Sequence, residues 1–181
     1  MPATIVPATS GRASCRGCGE KIAAGSLRLG DQVPNSYADE GGLTTLWYHV
    51  WCGAFRRPEA LLEALASSPP DLAAAGLNHE ALAEQAHLGV THHRLPRVST
   101  VGRAPTGRAT CRACKSPIDK DTWRIALVYY EDGRFSPSGF VHATCAREYF
   151  GTTALLPRVR HFSHALGEDD LAAFTAALEQ A

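Results

Sequence analysis

The sequence predicts an α+β protein: two small β-ribbon-plus-helix modules, with additional helices beside them. Three observations predict it. A Cys-x-x-Cys pair followed by a His-x-x-Cys pair occurs twice, at Cys15, Cys18, His49, Cys52 and at Cys111, Cys114, His142, Cys145. Runs of β-type residues lie between the two pairs of each copy. Ala- and Leu-rich stretches of helical period follow each last cysteine.

The repeat extends beyond the cysteines. The run Gly11-Arg12-Ala13-Ser14-Cys15-Arg16-Gly17-Cys18 matches Gly107-Arg108-Ala109-Thr110-Cys111-Arg112-Ala113-Cys114. Ile22 then matches Ile118, and Arg28 matches Arg124. The spacer between pairs is 30 residues in the first copy and 27 in the second, a difference that a loop can absorb.

In chain order, Leu27 to Val33 and Arg124 to Tyr130 read as strands. Leu46 to His49 and Phe140 to His142 read as their partners, with turns at Gly41-Gly42 and Asp132-Gly133. Pro58 suits a first helical position, with Leu61, Leu62 and Leu65 on one face. Asn78 can cap a second helix, expected to run through His87. Ala143 to Phe150 reads as a short helix stopped at Gly151. A last helix spans about Glu168 to Glu179, acidic at its start as the helix dipole favours. Residues 99–108 read as a linker. The expected organisation is a first module over 8–66, a helical segment and linker over 67–103, and a second module with its C-terminal helix over 104–181.

Hydrophobic residues make up 45% of the 181 and charged residues 20%, which suits a soluble globular chain rather than a disordered one. No apolar run approaches membrane-spanning length. Met1 to Ser10 lacks the basic start and apolar core of a secretory signal. The zero net charge hides segregation. Residues 11–57 carry +2 and 94–166 carry +7; residues 58–93 carry −5 and 167–181 carry −4. The basic charge therefore gathers on the Cys-rich units and the acidic charge on the helical stretches.

Six cysteines could form three disulfides, but a disulfide framework has no need of histidines in register. Three thiolates and an imidazole make a tetrahedral zinc shell. The Cys-x-x-Cys turn supplies two sulfurs from one side, and the His-x-x-Cys pair closes the other. Two structural zinc ions are expected, and with them a reducing, intracellular location. Four protein ligands leave no position for a reactive water. The sequence also lacks a phosphate-cradling Gly-rich loop and a nucleophile with its base. No catalysis is expected. The remaining His79, His87, His92, His93, His161 and His164 read as surface or packing residues.

The spacing is not that of the short DNA-reading finger, whose inner spacer is about twelve residues. It resembles the zinc finger of poly(ADP-ribose) polymerase and DNA ligase III. Gly11 to Cys15, Ile22, Leu27-Arg28 and Trp47-Tyr48-His49 carry the resemblance. The loop Val33 to Tyr37 with Gly41-Gly42 is similar to that of the ligase finger, and Val159 to Ser163 with Asp169-Asp170 to the family's closing segment. The resemblance covers residues 8–57 and 104–178, with Phe140-Val141 replacing the Trp-Tyr pair in the second copy.

The resemblance implies recognition of DNA strand breaks, nicks or ends, by shape and not by sequence. It assigns phosphate contacts to Arg12 and Arg28 in the first finger and to Arg108 and Arg124 in the second. Tyr37 and Leu43 would cap the exposed base pair in the first, and Tyr130 and Phe135 in the second. Trp47, Tyr48, Phe140 and Phe162 are expected in the core. The competing expectation is a zinc-stabilised protein-interaction module that leaves DNA alone. The break-binding reading places the chain on DNA inside the cell, in a bacterial cytoplasm or nucleoid or in a nucleus.

Overall fold

The computed structural model describes residues 3–35, 42–67 and 69–180. The chain forms two compact units, Met1–Thr91 with Glu131–Phe135, and His92–Tyr130 with Ser136–Ala181. Both are α+β zinc-finger modules built of small antiparallel sheets and helices, as the sequence predicts.

The first unit is a sheet of three strands in the order β1-β2-β3, with β1 at Thr4–Pro7, β2 at Leu27–Pro34 and β3 at Leu43–His49. The register sets Leu29 opposite Tyr48 and Arg28 opposite His49. Alternation along the strands then divides the residues between two faces. Leu29, Leu46 and Tyr48 share the core face and are buried. Arg28, Trp47 and His49 share the other.

Three helices cover the core face: α1 (Val50–Arg56), α2 (Pro58–Ala66) and α3 (His79–Thr91). Helix α1 lies close enough that a Cβ on Gly53 would stand 2.5 Å from Leu29 Cδ2, so a side chain there would force the buried Leu29 to shift. Pro58 takes the first helical position of α2, which buries Leu61 and Leu65 and leaves Leu62 half-buried. Asn78 Oδ1 accepts the Ala81 N–H at 2.9 Å, the expected cap. Helix α3 continues past His87 to Thr91 and packs on α1 and α2 through Leu82 and Ala86. A salt bridge of 2.6 Å from Arg57 to the buried Asp31 fastens the α1–α2 corner to β2.

In the second unit, β4 (Val98–Arg103), β7 (Trp123–Glu131) and β8 (Arg134–His142) form a sheet in the order β4-β7-β8. Strands β5 (Ala109–Thr110) and β6 (Pro117–Ile118) form a separate two-stranded ribbon. Asp132 and Gly133 join β7 to β8 with φ of 49° and 76°. That is the doubly left-handed two-residue turn that Asp-Gly favours. Helices α4 (Ala146–Phe150), α5 (Leu156–Phe162) and α6 (Glu168–Glu179) follow. Gly151 ends α4 in the left-handed region, as expected. Phe174 of α6 meets Trp123 edge to face at 5.7 Å, closing the core.

Two expectations are corrected. Residues 99–108 do not begin as a linker: Val98–Arg103 is strand β4, because Val98 and Val101 bury against β7 and Val101 N–H finds Ser163 Oγ at 3.0 Å. Of the four aromatics expected in the core, only Tyr48 is fully buried. Trp47, Phe140 and Phe162 are half-buried.

Candidate metal centres

The structure brings each predicted ligand set together. The ligand atoms of Cys15, Cys18, His49 and Cys52 all lie within 4.8 Å of one another, and so do those of Cys111, Cys114, His142 and Cys145. The local folding is the same in both. Cys15 N–H donates to Glu20 O at 2.8 Å, and Cys111 N–H to Ser116 O at 2.9 Å, so each Cys-x-x-Cys turn closes on itself. The flanks of the turn pair, Ser14 with Lys21 and Thr110 with Pro117. The histidine ends the following hairpin, and the last cysteine sits in the first turns of helical structure after it.

The histidine rings are oriented by their far nitrogens. His49 Nε2 lies 3.2 Å from Lys21 O, and His142 Nε2 lies 3.1 Å from Pro117 O. A carbonyl only accepts, so Nε2 carries the proton and Nδ1 keeps its lone pair for a metal. Nδ1 of His49 stands 3.4 Å from Cys18 Sγ and 3.9 Å from Cys52 Sγ. Nδ1 of His142 stands 3.5 Å from Cys114 Sγ and 3.8 Å from Cys145 Sγ. A tetrahedral zinc with its usual bond lengths spaces nitrogen and sulfur ligands about 3.6 Å apart, so the donor sets fit the ion.

The electrostatics favour a cation as well. Backbone N–H groups of Gly17 and His49 point at Cys15 Sγ, each at 3.3 Å, and His142 N–H points at Cys111 Sγ at 3.4 Å. The hydrogen bond from Cys52, with these amides behind it, holds the Cys15 thiol down at about 5. The same contact and burial push the Cys52 thiol up. In the second cluster, the Ser116 N–H holds Cys114 at about 6, and burial pushes Cys145 up to about 12. Without a cation, each cluster thus favours one thiolate and resists the next. Zinc removes that resistance and crosslinks four points of a small module.

Three thiolates around a divalent cation leave one negative charge. Arg56 faces it in the first unit, interacting with Cys52, Cys15 and Cys18 while burial lowers its own guanidinium to about 10. The sequence did not single this residue out; its one signal was a position four residues past the last ligand, on the same side of α1.

The predicted contact residues are placed as follows. Arg12 and Arg108 are exposed, three residues before the first cysteine of each set. Arg28 is only 8% exposed, and its guanidinium carbon lies 3.6 Å from the centroid of Trp47. Arg124 is half-buried in the same relation to Phe140, at 3.7 Å, and burial lowers its guanidinium. Leu43 is 47% exposed at the start of β3. Tyr130 is half-buried. Phe135 belongs to the first unit, where the Arg56 guanidinium lies 5.2 Å from its ring centroid. Tyr37 lies outside the described residues.

Residues 7–75 match the family described as the poly(ADP-ribose) polymerase and DNA-ligase Zn-finger region. Among similar curated proteins is poly [ADP-ribose] polymerase 1 of Gallus gallus, 30% identical over 172 residues, covering 82% of this chain and 17% of the relative. Poly [ADP-ribose] polymerase of Sarcophaga peregrina is 26% identical over 149 residues, covering 72% and 14%. Poly [ADP-ribose] polymerase 1 of Danio rerio is 29% identical over 96 residues, covering 53% and 9%. The chain spans less than a fifth of the length of these relatives. The family match lies within a zinc-finger region. Residues 7–75 thus belong to the poly(ADP-ribose) polymerase and DNA-ligase zinc-finger family, and the two Cys3His clusters of the chain fit tandem fingers.

Proposed function

We propose that the chain binds DNA at strand breaks and recognises their shape rather than their sequence. One observation carries the reading: beside each metal cluster an arginine is stacked on an aromatic ring, and in the first unit that arginine, Arg28, stands directly opposite the metal-facing His49 on the neighbouring strand. A guanidinium held in this way is preorganised to meet a phosphate oxygen, and it reads no base. The exposed Arg12 and Arg108 add a second cation to each module.

At a nick or an end, stacking is interrupted and a base-pair face is uncovered. An apolar side chain laid on that face gains roughly 1–3 kcal/mol per stacked base. The exposed Leu43 suits this role, with Tyr37 six residues before it; Tyr130 is the second finger's candidate, while Phe135, expected to serve there, lies with the first unit. An interrupted duplex also kinks at lower cost than an intact one, which adds selectivity. Two such modules on one chain raise each other's effective concentration. The chain would act on DNA inside the cell and leave the repair reaction to a separate enzyme. No helix among the described residues is long and apolar enough to cross a membrane.

The test is a fluorescence anisotropy titration of the zinc-loaded protein against a nicked hairpin duplex and the same hairpin sealed, at two salt concentrations. Tighter binding to the nicked hairpin, weakening with salt, is the expected result. Equal binding to both would overturn break recognition.

A further inference from the structure

The second unit carries a basic cluster that neither the metal site nor the repeat accounts for. Residues Leu95–Arg97 form a single 3-10 turn, in which Arg97 N–H donates to Arg94 O at 3.0 Å. Positions three apart eclipse one another in such a turn, so Arg94 and Arg97 project to the same side. Leu95, fully buried, anchors the turn, and Pro96 stiffens it.

Both arginines converge on Tyr149 of α4. The Arg94 guanidinium lies 4.9 Å from the Tyr149 ring centroid, and its Nη1 donates to Tyr149 O at 3.1 Å. Arg97 Nη1 donates to Tyr149 Oη at 3.2 Å, and its guanidinium lies 5.4 Å from the ring centroid of Tyr129. Tyr129 is one of the large hydrophobic side chains left exposed among the described residues, at 46%.

The arrangement has the marks of an anion site. Each guanidinium has five N–H donors, of which one is used by Tyr149. Among the described residues neither arginine is paired with a carboxylate. Ring contacts and hydrogen bonds fix both side chains in advance, so little rotamer freedom remains to be lost on binding. Tyr149 stands four residues after the ligand Cys145, so metal binding at the second cluster also holds the centre of the patch. The segment around it, 94–166, carries the chain's largest excess of positive charge, +7.

We infer that Arg94 and Arg97, clamped on Tyr149 and bordered by the exposed Tyr129, form an additional phosphate-binding surface that grips the DNA backbone away from the break. The inference rests on the DNA-binding reading above. It differs in consequence: backbone contacts remote from the break strengthen binding to any duplex and leave selectivity alone.

The test uses the full zinc-loaded chain and the nicked and sealed hairpins, with salt titrations for wild type, Arg94→Ala/Arg97→Ala and Arg94→Gln. The double variant is expected to bind both hairpins roughly ten-fold more weakly, with the slope of log K against log salt reduced by about 2. Its ratio of nicked to sealed affinity should equal that of wild type. Arg94→Gln keeps an N–H donor on the side chain but loses the charge and the guanidinium plane over Tyr149. It should reduce the slope by about 1 even if the double variant fails to fold. Unchanged affinity and slope in a variant that retains both zinc ions would reduce the arginines to braces for α4. A changed ratio with an unchanged slope would move them to the break itself; either result overturns the inference. A wild type that binds salt-sensitively but ignores the nick would overturn break recognition alone. A wild type with no salt-dependent DNA binding would overturn both.

Discussion

The Arg28 guanidinium carbon stands 3.6 Å from the centroid of the Trp47 ring, with only 8% of Arg28 exposed. A planar guanidinium can lie flat on an indole; an ammonium on a flexible stem cannot reproduce the plane or the fork. Such a stacked pair contributes on the order of 1–2 kcal/mol when desolvated. Arg28→Lys should therefore keep the positive charge yet weaken binding to the nicked hairpin about five-fold or more, with zinc content unchanged. Anisotropy and a metal assay on the same sample check it. A lysine variant with wild-type affinity would show that charge alone suffices.

Two closed clusters predict two zinc ions per chain. His49→Ala should release one equivalent and His142→Ala the other, read by a colorimetric chelator after denaturation. Stripping both with a strong chelator should abolish the cooperative unfolding transition, because binding energy in such modules is folding energy. Acidification should release zinc, since the ligands must be deprotonated to bind. A chain that keeps its transition and fold without metal would contradict a structural role.

Gly30 sits opposite Trp47 in the β2–β3 register, and a Cβ there would lie 2.7 Å from the indole Cζ3. The ring cannot withdraw without leaving Arg28. Gly30→Ala should cost about 1–3 kcal/mol of stability in urea unfolding. Gly102 of β4 has nothing within 4 Å of its would-be Cβ, so Gly102→Ala should be neutral or slightly stabilising. Equal effects of the two would remove the steric account.

Gly19 and Lys115 occupy the same place in the two Cys-x-x-Cys turns, with φ of +84° and +64°. That conformation suits glycine and strains lysine by about 1 kcal/mol. Lys115→Gly should stabilise the second module by up to about 1 kcal/mol, although it loses the exposed hydrogen bond from Lys115 Nζ to Arg112 O. Gly19→Lys should destabilise the first by a similar amount. Thermal unfolding of the zinc-loaded variants decides, and opposite signs are the expected outcome.

Much of this was legible because it is local. Cys-x-x-Cys turns, the Asp132-Gly133 reversal, the Asn78 cap and the acidic start of α6 each follow from a few neighbouring residues. What escaped was set by partners distant in sequence. Strand β1 is four residues ending in proline, too short to stand out; it exists because Ile5 buries opposite Leu29. Strand β4 hides in a Ser-, Thr- and Gly-containing stretch and is fixed by β7 and Ser163. The cover over Arg28 came from the diagonal position of Trp47 on the next strand, which pairing alone reveals. At the metal clusters the sequence named four side chains each. It was silent on the backbone amides and carbonyls that complete their surroundings, because every residue carries those groups.

The two hairpins reach their metal-facing histidines by different routes. Eight residues separate β2 from β3, whereas two separate β7 from β8. Yet Arg28 and Arg124, and the rings beneath them, stand in the same relation. Connections of different length at the far end of the hairpin thus go with the same arginine–ring geometry beside the metal cluster. Replacing residues 35–42 with Asp-Gly should therefore leave the first zinc in place.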